Sequence, residues 1–244
     1  MRAAPFGTMV RAQTGMELRL TLRRGESLLL TVVIPLGLLA FFGTVDVVDT
    51  SLDALVPGIV ALAVMSTAMT GLAIATGFER QYGVLKRLGA SPLPRSGLLL
   101  AKTLSVLAVE ALQVALIWVL ALLLGWRPGG GVRAVLLSLG MVTLATGAFA
   151  GIGLLMAGRL RAEATLAAAN GLYLALLLVS GMVVPLVKLP HALASFARGL
   201  PSGALAEGLR SAFVGHGDVV RPIVVLTLWA AAALAAAAAT FRWE

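Results

Sequence analysis

The sequence contains no cysteine, only two histidines and few charged residues for its length. Without cysteine there are no disulfides, thiolate metal sites or cysteine nucleophiles. Charged residues occupy 12% of the 244 positions, whereas a soluble domain carries about a quarter. So few charges cannot cover a water-exposed surface. An ordinary soluble enzyme is therefore excluded.

Hydrophobic residues make up 59% of the chain and are concentrated in long runs. A helix needs about 20 such residues to cross a hydrocarbon layer of about 30 Å. The runs lack the alternation of a transmembrane barrel, so each is predicted to be a spanning helix. The six predicted spans are 28–45, 54–78, 98–126, 132–157, 164–187 and 222–241. The predicted fold class is an all-α membrane protein.

The segments between these spans are too short for a soluble catalytic domain, because pieces below about 40 residues rarely fold alone. Residues 1–27 are too polar for a signal peptide, and their partial helical periodicity predicts an amphipathic helix at the inner membrane surface. A disordered basic tail held by anionic lipid is the alternative. Residues 188–221, punctuated by Pro190 and Pro201, are predicted to form two short helices that dip into the outer leaflet.

The positions of the basic residues predict the orientation. With the N-terminus inside, thirteen Lys and Arg residues fall in cytoplasmic segments and six in outer segments. Because cytoplasmic loops carry such an excess, both termini are predicted to lie in the cytoplasm. The net charge of +8 is spread over short gaps between apolar runs, so no nucleic-acid partner is expected. The thirteen residues are Arg2, Arg11, Arg19, Arg23, Arg24, Arg80, Lys86, Arg87, Arg95, Lys102, Arg159, Arg161 and Arg242.

The acids and histidines of the predicted loops do not suggest a metal site. Asp46, Asp49 and Asp53 share the first outer loop, which lacks the glycine and glutamate of an EF-hand. His191 and His216 have no partner at metal-ligand spacing. We interpret all five as solvated loop residues.

The loop after the second span has a regular sequence pattern, which a loop that only fixes orientation would not need. Residues 77–102 read GFERQYGVLKRLGASPLPRSGLLLAK. Glu79 and Arg80 mark the point at which the chain leaves the membrane, a short amphipathic helix follows, and Pro92 and Pro94 end it before the third span. This pattern is typical of a segment that binds a rigid partner. A positively charged loop that only fixes orientation is the alternative.

This loop resembles the loop between the second and third spans in membrane subunits of the ABC type-2 exporter family. That family has a glutamate-arginine start, a short cytoplasmic coupling helix in the segment corresponding to 79–97, and a small-Pro-Leu exit. The segment LRRGESLLLTVVIPLGLLAFFG, with a central Pro35, is similar to the family's connecting helix and first span. The segment LPSGALAEGLRSAFVGHGD is similar to the element before its last span. With the six predicted spans, the resemblance covers nearly the whole chain.

The resemblance implies a permease subunit that exports an amphiphilic drug, antibiotic, lipid or glycan precursor across a bacterial cytoplasmic membrane. Two copies, in a homodimer or a related heterodimer, would enclose the path, and 188–221 would cap its exit. Two separate ATP-binding subunits would hold ATP and Mg²⁺, because this sequence has no G-x-x-x-x-G-K-[ST] loop. The residues predicted to contact those subunits are Glu79, Arg80, Gly83, Lys86 and Arg87.

Glu110 is the one acid predicted inside a span, one turn from Gln113. An ionised group at mid-membrane costs roughly 2.5–3.5 kcal/mol on insertion scales, which makes such a residue a functional candidate. Three interpretations of Glu110 stay open: a carboxyl hydrogen-bonded to Gln113 or a neighbouring helix, a polar lining of the substrate path that it forms with Gln113, or a proton relay.

Small and amide residues in two later spans indicate helix packing. Gly147, Gly151 and Gly153 form a small-residue seam in the fourth span, and Asn170 in the fifth is predicted to make a hydrogen-bonding contact.

Two other classes of protein compete with an ATP-driven permease. A proton-coupled secondary transporter would use Glu110 as its carrier, although no repeated halves are evident. A membrane-embedded enzyme such as a lipid transferase would need clustered acids or histidines within a span, and the sequence has none. We therefore predict a transport subunit without an ATPase site of its own, with the proton-coupled transporter as the alternative.

Overall fold

The computed structural model describes residues 4–23, 25–45, 51–182, 186, 190–215 and 217–241, with the side chains of 25–30 set aside. Asp46, Asp49 and His216 lie outside the described residues. All regular structure in these ranges is helical. In chain order the helices are α1 Phe6–Arg23, α2 Gly25–Thr44, α3 Leu52–Met65, α4 Leu72–Gln81, α5 Val84–Gly89, α6 Arg95–Leu123, α7 Gly131–Ala157, α8 Ala162–Val179, α9 His191–Arg198, α10 Pro201–Val214 and α11 Val220–Thr240.

The protein is an all-α membrane protein, as predicted. In the described part of the chain, five helical stretches are long and apolar enough to cross a membrane: Leu52–Gln81, α6, α7, α8 and α11. The first predicted span corresponds to α2. Its part Thr31–Thr44 is apolar but shorter than the five spanning stretches. The count of six spans and the cytoplasmic position of both termini stay predictions.

Several helix ends differ from the predicted span ends, and two of the differences have a local cause. α6 begins at Arg95 rather than at 98, because Pro94 is extended and directly precedes the first helical turn. α8 ends at Val179 rather than at 187, because Gly181 adopts a left-handed φ of 72° that stops the helix. The Met182 N–H donates to Ser180 Oγ at 3.1 Å and closes this turn.

The second span contains a π-helical segment, Ser66–Gly71, between α3 and α4. The backbone of α7 approaches it closely at Gly153, where an added Cβ would lie 2.7 Å from the Met69 carbonyl oxygen. Segments of this kind widen the helix by one residue and are frequent at functional sites. The widened turn brings Thr67 within 3.2 Å of Gln113 Oε1 on α6.

Two glycines of the predicted seam, Gly147 and Gly151, hold α7 against α11, whereas Gly153 packs against the π-helical segment instead. Added Cβ atoms would lie 3.3 Å from Ala230 Cβ at Gly147 and 2.7 Å from Ala233 Cβ at Gly151. Only glycine therefore allows this backbone approach. Asn170 differs from its prediction, since its exposed amide donates at 2.9 Å to Leu166 of its own helix.

The two short helices expected in residues 188–221 are present as α9 and α10. α10 is attached to neighbouring segments by Arg210, whose guanidinium donates to the Met182 carbonyl at 3.2 Å and to the Ala54 carbonyl at 3.4 Å. Phe213 packs edge-on against Trp126, and the Trp126 indole N–H donates to Asp53 Oδ1 at 2.9 Å. α10 thus closes one end of the bundle. Its position at the outer side stays a prediction.

The predicted amphipathic helix is α1. Val10 and Glu17 are buried on the side that packs against α6, and Arg11 and Arg19 are exposed. The position of this helix at the membrane surface stays a prediction.

The substitution Gly151→Ala tests the seam. It places a methyl group 2.7 Å from Ala233 Cβ, so α7 and α11 must separate. We expect the free energy of unfolding to fall by about 1–3 kcal/mol, as for other overpacked cores. Gly140→Ala on the same helix is the control, because nothing lies within 4 Å of an added Cβ there. Thermal unfolding in detergent measures both, and equal stability of the two variants would contradict the seam.

Candidate functional site

The loop between the second and third spans forms a compact turn and helix. Gly83 adopts a left-handed φ of 70° between α4 and α5, a conformation that favours glycine. Leu85 is fully buried and anchors α5, whereas Lys86 and Arg87 are exposed. After α5, Ser91 Oγ donates to the Leu88 carbonyl at 2.6 Å. The predicted short helix therefore exists and presents two cations outward.

A buried ion cluster of one lysine and two glutamates lies near α5, and it lines the same cavity as Val84 of that helix. Lys102 Nζ on α6 is 2.6 Å from Glu79 Oε2 on α4 and 3.0 Å from Glu17 Oε2 on α1. Lys102 is 1% exposed, and each glutamate is 8% exposed. Gln13 donates to the second oxygen of Glu17 at 2.8 Å. Because buried charges need partners, the cluster fixes three helices together.

This cluster changes the interpretation of Glu79. The sequence groups it with residues that face a partner, but its carboxylate points inward to Lys102. Through this ion pair Glu79 links α4 to α6. Sequence reasoning missed both Lys102 and Glu17. Their signals are a lysine in the apolar run LLLAKTLSVL and one acid among the basic residues of α1.

Arg80 ties the end of α4 to the connection between α7 and α8. Its Nη2 donates to the Leu160 carbonyl oxygen. Next to it, Gln81 Nε2 donates to Glu163 Oε1 on α8 at 2.9 Å. The last turn of α4 therefore contacts both the ion cluster, through Glu79, and the α7–α8 connection, through Arg80.

A cavity of about 500 Å³ adjoins the ion cluster. Its walls come from α1, α2, the π-helical segment, α4, α5 and α6. Most of the lining is apolar, and Glu17, Glu79 and Lys102 supply the charged part. The other lining residues are Leu20, Thr21, Thr31, Thr67, Gly71, Leu72, Ile74, Ala75, Phe78, Tyr82, Val84, Ser105, Val106 and Val109.

Gln113 lies just behind this cavity. Its Nε2 donates to the Thr31 carbonyl at 2.7 Å, and its Oε1 accepts from Thr67 at 3.2 Å. Gln113 thereby links α6 to α2 and to the π-helical segment. Its role in a transport path stays a prediction.

Glu110 is fully buried between α6 and α7 and does not line the cavity. Its Oε2 contacts Thr146 Oγ, which also lies 2.8 Å from the Val142 carbonyl. A hydroxyl has one proton to donate, and a carbonyl only accepts. If Thr146 donates to Val142, the Glu110 carboxyl must supply the proton of the other contact. This arrangement favours the structural interpretation of Glu110, while path lining and proton relay stay untested.

In a comparison with protein families, the profile of the ABC-2 type transporter family matches residues 10–214. The matched range contains most of α1, together with the ion cluster, α5, α9 and α10. No curated protein matches the sequence.

The substitution Lys102→Met tests the ion cluster. It leaves Glu17 and Glu79 buried without their shared cation. We expect the free energy of unfolding to fall by about 3–5 kcal/mol, which is typical when one partner of a buried pair is removed. Unfolding by denaturing detergent in mixed micelles measures the change.

Two further variants make this result specific. Lys102→Met combined with Glu17→Gln and Glu79→Gln removes all three charges and should recover most of the loss. Arg19→Met removes an exposed cation of α1 and should have little effect. The structural role is refuted if Lys102→Met is as stable as Arg19→Met.

Proposed function

Because the chain belongs to the ABC-2 type transporter family, we propose that it is the permease subunit of an exporter that a separate ATP-binding subunit drives. One observation carries this proposal. The exposed cations of α5 follow closely after α4, whose Glu79 belongs to a buried ion cluster that joins three helices. A force applied to α5 therefore reaches the membrane bundle through α4 and this cluster.

The contact surface for the ATP-binding subunit consists of Gly83, Lys86 and Arg87. Gly83 sets the direction of α5, and the two cations offer charge pairs to an acidic groove. Glu79 and Arg80 support this surface from below, through Lys102 and the Leu160 carbonyl respectively. ATP and Mg²⁺ belong to the partner subunit.

The transmission route runs from α5 through α4 to Lys102 and on to α1 and α6. A change in shape is transmitted where packed elements have two discrete arrangements. Shifting a two-state equilibrium from 1:99 to 99:1 takes about 5.5 kcal/mol. Closure of the ATP-binding subunits around nucleotide supplies this free energy in our proposal.

The assembly contains two copies of this chain, as a homodimer or a related heterodimer, and two ATP-binding subunits in a bacterial cytoplasmic membrane. The substrate is an amphiphile that leaves the cytoplasmic side. The mostly apolar cavity of about 500 Å³ with a charged end supports this substrate class. A drug, an antibiotic, a lipid or a glycan precursor has the required combination of apolar body and polar group.

Charge reversal on α5 tests the contact with the ATP-binding subunit. In Arg87→Glu an acidic side chain faces the proposed acidic groove, and such like-charge contacts cost several kcal/mol. We expect ATP-driven transport in proteoliposomes to fall at least about tenfold while membrane insertion is retained. Arg11→Glu is the control, because it changes the same charge on the exposed side of α1. Unchanged transport in Arg87→Glu would remove α5 from the mechanism.

Glu110→Gln separates this proposal from a proton-coupled transporter. The amide keeps a donor for Thr146 but carries no titratable proton. We expect ATP-driven transport to be unchanged in reconstituted vesicles. Loss of transport in this variant, together with transport by an assembly whose ATPase is inactivated, would establish the proton-coupled alternative.

A further inference from the structure

A second crevice, separate from the cavity at the ion cluster, lies where four helices end. It has a volume of about 660 Å³ and a mainly polar surface. The ends of α4, α7 and α11 and the beginning of α6 form its walls. The lining residues are Arg80, Arg95, Gly158, Arg159, Ala239, Thr240 and Phe241.

The crevice is strongly basic. Among the described residues that line it, three are arginines and none is acidic. In the described part of the chain, Arg80, Arg95 and Arg159 form no ion pair. Arg80 is half-buried and held by its bond to the Leu160 carbonyl, which leaves its other N–H groups for a ligand. Three arginines that line one crevice favour an anion as its ligand.

The depth of the crevice indicates where that anion comes from. Each lining residue lies within two residues of the end of a helix that is long and apolar enough to span a membrane. The crevice is therefore at the level of lipid headgroups. Next to it, α11 exposes Ala235, Ala238 and Ala239, a smooth surface against which an acyl chain can pack.

We propose that this crevice binds the phosphodiester headgroup of an anionic phospholipid from the adjoining leaflet. Guanidinium groups pair with phosphate oxygens through two parallel hydrogen bonds. Basic pockets between spanning helices on the cytoplasmic side are suited to such headgroups. The bound lipid joins the ends of α4, α6, α7 and α11, and thereby stabilises the frame that surrounds the α4–α5 turn.

The position of the crevice distinguishes it from the proposed contact with the ATP-binding subunit. No residue of α5 lines it. The neighbouring Arg161 lies outside it, in a small crevice that Arg80 and Glu163 also line. Arg161 is therefore a nearby arginine that does not line the basic crevice, and it offers a matched control.

Native mass spectrometry of the purified full-length chain tests the proposal. The chain in detergent is titrated with phosphatidylglycerol, and with phosphatidylcholine as the zwitterionic reference. We expect phosphatidylglycerol to bind at least about tenfold more tightly. The double variant Arg95→Gln/Arg159→Gln should lose this preference, while Arg161→Gln should keep it. Equal binding of the two lipids to the wild type, or wild-type binding by the double variant, would overturn the proposal.

A second variant guards against a folding defect. Arg95→Lys/Arg159→Lys keeps both charges but loses the paired hydrogen bonds, so its affinity should fall between those of the wild type and the Gln variant. Size-exclusion chromatography and thermal unfolding check the fold of each variant. If the Gln variant does not fold, wild-type affinity of the Lys variant for phosphatidylglycerol would overturn the proposal.

Two further measurements separate the lipid from other anions and from protein. Glycerol phosphate should not displace phosphatidylglycerol at equal concentration, and displacement would assign the crevice to a soluble phosphate compound instead. The double variant should still co-purify with its ATP-binding subunit. Loss of that subunit with unchanged lipid binding would make the crevice a protein interface and refute our proposal.

Discussion

The structure depends on one lysine buried in a largely apolar bundle. Lys102 is 1% exposed and within 3.0 Å of carboxylates on two other helices. Such a charge is tolerated only with its partners in place, so α1, α4 and the beginning of α6 cannot separate without exposing or stranding it. The apolar contacts around the cluster have no such directional requirement. The ion cluster therefore sets the positions of these three helices relative to one another.

The ion cluster explains how a movement of α5 can be transmitted to the bundle. The helix is only six residues long and could not move the bundle by its own contacts alone. It is joined through the Gly83 turn to α4, whose Glu79 is fixed by Lys102. Arg80 extends the attachment to the α7–α8 connection. The same cluster forms the charged end of the cavity, so movement of α5 and the shape of that cavity are coupled through shared side chains.

The sequence predicts those parts of the fold that follow from local pattern. Long apolar runs predicted the spanning helices, Pro92 and Pro94 predicted the end of the short helix before the third span, and small residues predicted a packing seam on α7. The ion cluster could not be predicted, because Glu17 and Lys102 are 85 residues apart and only packing brings them together. The π-helical segment was not predicted from the sequence, and the close approach of Gly153 to it is visible only in the packed structure. Glu79 shows the limit of prediction from sequence. Its motif was recognised, but the sequence did not reveal that its side chain points into the protein, to Lys102.

The central claim is that α1 and the α4–α5 turn move as one body when the ATP-binding subunit binds nucleotide. The chain has no cysteine, so cysteines introduced at exposed Ala12 and Ala90 carry its spin labels, and a doubly labelled copy assembled with an unlabelled copy reports one distance. That distance, measured by double electron–electron resonance in the full transporter, should be the same with and without ATP, while the Ala90-to-Ala90 distance between two copies changes. A change in the Ala12-to-Ala90 distance as large as that between the copies would contradict the account.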